Sequence, residues 1–288
     1  MEENKQITPM LYFGYGSNLD NEDWTKWCHR RGRNPDGLKE LGPAWIDGYY
    51  LTFDYYSGSR ECGAANLKWL APGRAVTPGA LFEIDKETLD ALDQKEGHPN
   101  PKYYQRKIVT AYTADGKAHQ AYTYIHYASE DNFYPTSNEY EGFIRNGLER
   151  LDLTTEWLDS ALDNVLKAKF DLVFVYGTLM EGMSRHNEME GDCKKVCKGT
   201  VQGELYHLGG YPGLIPGEGI IHGEVYRAKD MFQVIQRLDW IEGAGGDNPL
   251  FNRVIQQVET ENGKVWAYTY HYANSVDSFE RILSGNWR

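Results

Sequence analysis

Tyr12-Phe13-Gly14-Tyr15-Gly16-Ser17-Asn18-Leu19 is a short apolar run that breaks into a glycine-hinged loop. Its pattern returns at Val173-Phe174-Val175-Tyr176-Gly177-Thr178-Leu179-Met180. Well downstream of each copy comes a Leu-Asp-x-x-Glu-Gly turn, first Leu92-Asp93-Gln94-Lys95-Glu96-Gly97, then Leu238-Asp239-Trp240-Ile241-Glu242-Gly243. Loop and glutamate read together as one site, and the chain as holding two.

Other matches keep the same order. Ala121-Tyr122-Thr123-Tyr124 with His126-Tyr127-Ala128 returns as Ala267-Tyr268-Thr269-Tyr270 with His271-Tyr272-Ala273, and Gly79-Ala80-Leu81-Phe82 as Gly223-Glu224-Val225-Tyr226. Self-similarity at a steady offset predicts two homologous domains, 10–166 and 167–288. Most segments between turn signals alternate apolar and polar residues or are rich in β-branched and aromatic types, as in 107–112 and 252–258. Asp115-Gly116 and Asn262-Gly263 read as type I′ hairpin turns. Helices are fewer. Asp85 is placed to cap one that stops at Gly97, and Asp230 one that stops at Gly243. Apolar residues at helical spacing within 140–169 predict further helices between the two halves. The fold class is therefore α+β.

At 288 residues the chain is long enough for two ordinary domains. No apolar run approaches the roughly 20 residues of a membrane span, and the polar start, 1–9, expected to fray, lacks the features of a signal peptide. No membrane partner and a cytoplasmic location are the expectations. The formal net charge of -12 opposes a nucleic-acid partner, because a polyanion would be repelled. Through Ser160 there are 25 acidic and 17 basic residues, and after it 17 and 13, so the first half holds most of the excess. Four cysteines make no disulfide framework, Cys193-x-x-x-Cys197 lacks a second pair for zinc, and the eight histidines show no metal-ligand spacing. No metal site is expected.

The chemistry lies in the loop and the glutamates. A strand ending in Gly-Tyr-Gly-Ser-Asn can gather successive N–H groups into a concavity suited to a carboxylate. Leu19 stands where a Rossmann loop needs its third glycine, and no long helix clearly follows. Tyr15 and Leu19 likewise occupy the glycine positions of a nucleophile elbow. Glu96 and Glu242 each fall in a last helical turn, at the negative pole of the helix, where a carboxyl pKa should rise toward that of a general base. His126 and His271 recur, but read as packed rings, and Trp45, Trp69 and Trp266 as core or pocket wall.

Tyr15-Gly16-Ser17-Asn18-Leu19 with Glu96, and Tyr176-Gly177-Thr178-Leu179 with Glu242, resemble the γ-glutamylcyclotransferase-like family. The first half is similar to the longer cyclotransferases in Pro135-Thr136-Ser137-Asn138-Glu139-Tyr140, Ile144 and Gly147-Leu148-Glu149. The second is similar to the short γ-glutamylamine cyclotransferases in Tyr211-Pro212 and Asn252-Arg253. The resemblance implies two tandem small mixed β-barrels with flanking helices. It implies cyclisation of a γ-glutamyl conjugate, a small-molecule substrate, to 5-oxoproline and a free amine with no cofactor. Glu96 and Glu242 would be the catalytic acid-bases. Tyr15, Gly16, Ser17, Asn18, Leu19, Tyr176, Gly177, Thr178 and Leu179 would bind substrate, with Tyr104 as a nearby aromatic. The acidity of the first half suits a cationic leaving amine such as an aminoglycoside precursor. A non-catalytic binding module, or one active domain with a structural duplicate, stays open, as do the oligomeric state and a lid role for the glycine-bearing loops 97–101 and 243–249.

Overall fold

The first strand is short because only five residues, β1 (Met10–Gly14), can hide their apolar side chains before the glycine loop intervenes. A computed structural model describes residues 9–127 and 132–288; 1–8, expected to fray, lie outside the described residues. After β1 come a 3₁₀ turn, Ser17–Leu19, and helix α1 (Asn21–Arg30). Strands β2 (Lys39–Asp47), β3 (Tyr49–Ser57), β4 (Cys62–Trp69) and β5 (Val76–Ile84) lead to α2 (Lys86–Glu96). Then β6 (Gln105–Thr113) and β7 (Ala118–Ile125) precede α3 (Asn138–Arg150) and α4 (Glu156–Leu162).

Five strands close into a barrel in the order β1-β5-β2-β6-β7, with β3 and β4 as a separate hairpin. The barrel is mixed, since β1 is antiparallel to β5 (Phe13 opposite Leu81) and parallel to β7 (Tyr12 opposite Tyr122). Its interior is filled by fully buried residues such as Phe13, Ile46 and Leu81, while Trp45 meets Trp157 of α4 edge-on at 4.8 Å.

The second half runs β8 (Leu172–Val175), β9 (Cys193–His207), β10 (Pro212–Ala228), α5 (Met231–Glu242), β11 (Phe251–Thr260), β12 (Gly263–Tyr272) and β13 (Glu280–Arg281). The pairings β10-β8-β12-β11-β9 return to β10, so these strands also form a ring, with β13 added to β9. A parallel pair recurs at the equivalent place, Val173 of β8 opposite Tyr268 of β12. Phe174, Val201, Leu205, Leu214, Val225 and Val258 fill its core. By contacts, 112–118 and 169–288 form one compact unit, and the residues before 112 with 119–168 form the other.

Three expectations need correction. A helix, α1, does follow the first loop: the Asp20 side chain accepts from the Asp23 N–H at 2.8 Å and starts it. Only Asp23, Trp24 and Cys28 of that helix are buried, so its apolar periodicity is faint. The two hairpin turns stand where expected but are not type I′, because only Gly116 (φ 76°) and Gly263 (φ 107°) have positive φ, while Asp115 and Asn262 do not. Trp69 is 57% exposed, lying edge-on to Tyr49 rather than in a core. All four cysteines are free thiols. Among the described residues no helix is long and apolar enough to cross a membrane.

Candidate active site

Asp85 starts α2 by accepting from the Thr88 N–H at 2.7 Å, and Gly97 ends it in the left-handed conformation with φ 76°. Glu96 is thereby the last helical residue, and it meets the turn that follows β1. The Asn18 amide Nδ2 donates to Glu96 Oε1 at 3.4 Å and to the Tyr12 hydroxyl at 2.9 Å. Burial raises the Glu96 carboxyl above the ordinary carboxylate range, with Lys95 pulling the other way. The rise agrees in direction with the expectation from the helix pole, but loss of hydration is its main cause.

Beside this pair lies a cluster that the sequence did not disclose. Lys95 Nζ donates to Asn18 Oδ1 and to Ser17 Oγ (3.2 Å) and stands 3.6 Å from Asp23 Oδ2. The Arg60 guanidinium donates to Asp23 Oδ2 at 2.7 Å and Ser17 Oγ at 3.2 Å, and lies over the Tyr140 ring at 4.9 Å. Against the cost of burial, Lys95 and Arg60 hold Asp23 below its usual range. Burial lowers Lys95, opposed by Glu96 and Asp23. These groups line a cavity of about 1140 Å³.

Tyr15, Gly16, Ser17, Asn18 and Tyr104 all line that cavity, with Glu96. Leu19 does not: it is 1% exposed, its N–H closes the turn on the Gly16 carbonyl at 3.0 Å, and its own carbonyl accepts from Arg150. It anchors the turn from below. The N–H groups earlier in such a turn have no partner within it. The Tyr15 hydroxyl is committed to the Tyr124 carbonyl (2.5 Å), and that of Tyr104 to the Ala65 carbonyl (2.6 Å), so their rings rather than their hydroxyls wall the cavity.

In the second unit Asp230 caps α5 and Gly243 (φ 59°) ends it at Glu242. Tyr176, Gly177, Thr178, Leu179, Arg185, Tyr211, Pro212, Phe251 and Glu242 line a cavity of only about 70 Å³. Burial pushes the Glu242 carboxyl up to about 7, with Arg185 the opposing charge. The Tyr176 hydroxyl again donates to a strand carbonyl, that of Tyr270, at 2.7 Å. Where the first unit has Asn18 and Lys95, this one has Leu179 and Ile241.

A frame behind both glutamates is the same. Tyr124 donates to Asp93 Oδ1 at 2.7 Å and Arg106 to Asp93 Oδ2 at 2.8 Å. Tyr270 donates to Asp239 Oδ1 at 2.7 Å, and Arg253 pairs with Asp239 Oδ2. The Asp of each Leu-Asp-x-x-Glu-Gly turn thus ties the helix end to two strands. Of the recurring histidines, His271 is buried against Gln256 (2.9 Å) and pushed down to about 4 by that burial, so it is neutral near pH 7. Among the described residues no group of three or more His, Cys, Asp or Glu could hold a metal ion.

Comparison with known proteins agrees with this duplication. The family model described as gamma-glutamyl cyclotransferase, AIG2-like, matches residues 12–142 and 173–288. The gamma-glutamylcyclotransferase family protein YtfP of Escherichia coli K12 is 34% identical over 122 residues, spanning 40% of this chain and 94% of its own. The gamma-L-glutamyl-butirosin B gamma-glutamyl cyclotransferase of Niallia circulans is 34% identical over 120 residues, 40% of this chain and 74% of its own. A solved structure of Bacillus subtilis YkqA is 16% identical and spans 93% of this chain and 85% of its own, with a TM-score of 0.39.

Proposed function

Because the chain belongs to the gamma-glutamyl cyclotransferase, AIG2-like, family, we propose that it cleaves a γ-glutamyl conjugate by intramolecular aminolysis, releasing 5-oxoproline and a free amine. One observation carries the reading: in each unit a carboxyl with a raised pKa shares a cavity with the turn that ends the first strand. Glu96 or Glu242 takes a proton from the substrate's α-ammonium. The freed amine attacks the γ-carbonyl carbon, a C–N bond closes the five-membered ring, and the bond to the leaving nitrogen breaks. The carboxyl returns its proton to that nitrogen and takes up the second proton of the ring nitrogen, which then passes to the released amine or to water, so a neutral lactam is left; a pKa near the working pH suits this repeated giving and taking. The N–H groups opening the Ser17–Leu19 turn, and those of the Tyr176-Gly177-Thr178 loop, hold the glutamyl carboxylate and stabilise charge on the γ-carbonyl oxygen.

The first unit's cavity wall bears Lys26, Arg30, Arg31, Arg60 and Lys95 against Asp23, Glu96 and Glu139. That local excess of cations favours a neutral or carboxylate-bearing leaving amine there. The cationic amine suggested by overall charge is therefore not the best fit for this unit. The relative from Niallia circulans, named for γ-L-glutamyl-butirosin B, keeps an aminoglycoside conjugate in the panel for the second. The 70 Å³ cavity around Glu242 gives one specific ground for a second reading, in which that unit is a structural duplicate.

The deciding assay measures 5-oxoproline from neutral, anionic and cationic γ-glutamyl conjugates with the wild type, Glu96→Gln and Glu242→Gln. Each active unit loses its share when its glutamate becomes an amide. If no conjugate yields 5-oxoproline, the enzymatic reading fails.

A further inference from the structure

We propose that Lys95 is a positioning residue for Glu96: its ammonium fixes the Asn18 amide so that the NH2 faces the carboxylate, a device the second unit lacks. This rests on the role proposed above for Glu96.

An ammonium only donates, so the Asn18 atom against Lys95 must be the carbonyl oxygen, as observed. The amide then has one orientation, with its NH2 turned to Glu96 Oε1 (3.4 Å) and the Tyr12 hydroxyl (2.9 Å). Without the lysine, the two ends of the amide are nearly isosteric, and a flipped Asn18 would set a carbonyl oxygen against a carboxylate. Lys95 can do this because it is itself held. Its side chain is 8% exposed, with Ser17 Oγ at 3.2 Å, Asp23 Oδ2 at 3.6 Å and the Trp24 ring centre at 5.9 Å. Asp23 is in turn gripped by Arg60.

Lys95 and Asn18 correspond to Ile241 and Leu179, so both members of the polar pair are aliphatic in the other copy. A lysine that merely decorated a helix end would have no reason to change together with an asparagine 77 residues away. Around Glu96 the charged groups are Lys95 on α2, Asp23 on α1 and Arg60 on the β3–β4 turn. The tyrosine hydroxyls of Tyr12, Tyr15, Tyr55, Tyr104, Tyr124 and Tyr140 that face it are raised by burial and stay neutral. Around Glu242 the opposing cation is Arg185 alone among the causes that act on it.

The test uses the full chain carrying Glu242→Gln, so that turnover reports the first unit. Lys95→Met, Asn18→Leu, the double variant and Lys95→Arg are assayed for 5-oxoproline release between pH 5 and 9, with thermal midpoints measured in parallel. Lys95→Met is expected to lower kcat at least tenfold with less than a threefold change in KM. It should also move the acidic limb of the pH profile upward, because a charge that favours ionised Glu96 is gone. Lys95→Arg should restore part of both effects. On the plateau of its pH profile the double variant should have a kcat no worse than that of Asn18→Leu, since there the lysine acts through the amide and its charge moves only the acidic limb. An unchanged pH limb and kcat in folded Lys95→Met, or losses that multiply in the double variant, overturn the proposal. Should Lys95→Met not fold, Lys95→Gln is read against the same criteria. Glu96→Gln in this background separates the two layers: if it keeps turnover, the role of Glu96 is wrong, whatever Lys95 does.

Discussion

Replacing Glu242 by Gln should stabilise the second unit, and the gain should appear only as the pH rises. The carboxyl has an ordinary value of 4.5 and is pushed by burial to about 7 in the folded protein. A raised carboxyl costs nothing while both states are protonated, below about 4.5. Between about 4.5 and 7 the unfolded chain ionises and the folded one does not, so stability falls with pH, and above about 7 the loss is complete. The difference of roughly 2.5 units corresponds to about 3 kcal/mol at the plateau. Glutamine copies the protonated shape without ionising. Wild type and Glu242→Gln should therefore unfold alike at pH 4, while at pH 8.5 the variant gains about 3 kcal/mol, or roughly 10 °C in a unit of this size. Calorimetric scans at half-unit pH steps measure it, with the transition that responds to the substitution taken as the second unit's. A difference between the two proteins that is constant from pH 4 to 8.5 would refute the claim that burial sets this carboxyl, and with it the fitness of Glu242 as an acid-base near neutrality.

Glu224 should show the opposite sign. Against the cost of burial, Lys195, the Glu181 N–H, Tyr226 and Arg288 draw its carboxyl down to about 2, so it contributes stability that is present above about 4.5 and lost as the pH falls toward 2. Glu224→Gln should cost roughly 1.5–3 kcal/mol at pH 7 and flatten the acid limb of the stability profile, read as thermal midpoint against pH. Asp93→Asn and Asp239→Asn should each cost about 1.5–3 kcal/mol, because each removes the charged acceptor of one arginine and one tyrosine. Similar losses in urea unfolding would support a common frame, and a neutral effect in either would count against it. Gly177→Ala sets a Cβ 2.6 Å from Pro212 Cγ, and the overpacking should cost about 1–3 kcal/mol; unaltered stability would mean that the loop yields freely.

How much of this was legible in the sequence depends on how far apart the partners lie. The two helix ends were readable because cap and stop are local: Asp85 and Gly97, like Asp230 and Gly243, sit within a dozen or so residues of each other and act through the backbone between them. The duplication was readable because it repeats whole strings. Helix α1 was missed although its cap is local, since a helix that buries few of its residues leaves little periodic trace. Arg60 and Lys95 were missed for another reason. Their partners are 37 to 78 residues away, and nothing near Arg60 in a Gly-Ser turn marks it as the mate of Asp23. Lys95 stands inside Leu92-Asp93-Gln94-Lys95-Glu96-Gly97, but at a position that reads as a variable one until the fold brings Asn18 against it.

The pattern of agreement between the two copies then has a physical meaning. Residues that shape the backbone around the glutamate are kept: the Asp–Arg–Tyr frame, the tyrosine hydroxyl on the neighbouring strand carbonyl, and the glycine that ends the helix. Residues that set the charge and hydrogen bonding of the glutamate itself are not kept, as Asn18 and Lys95 against Leu179 and Ile241 indicate. Placing a carboxyl at a helix end and choosing its protonation are separable problems. The first needs covalent geometry and packing over two strands and a helix, where a single change disturbs many contacts. The second needs only one or two side chains reaching the carboxylate, and a polar pair can become an aliphatic pair at little cost if both change together. Leaving Asn18 opposite an isoleucine would strand its buried carbonyl without a donor, so the route from one kind of site to the other runs through paired substitution. On that reasoning Lys95→Ile alone should harm the first unit more than Lys95→Ile with Asn18→Leu, a rank order that thermal midpoints of the two variants can reverse.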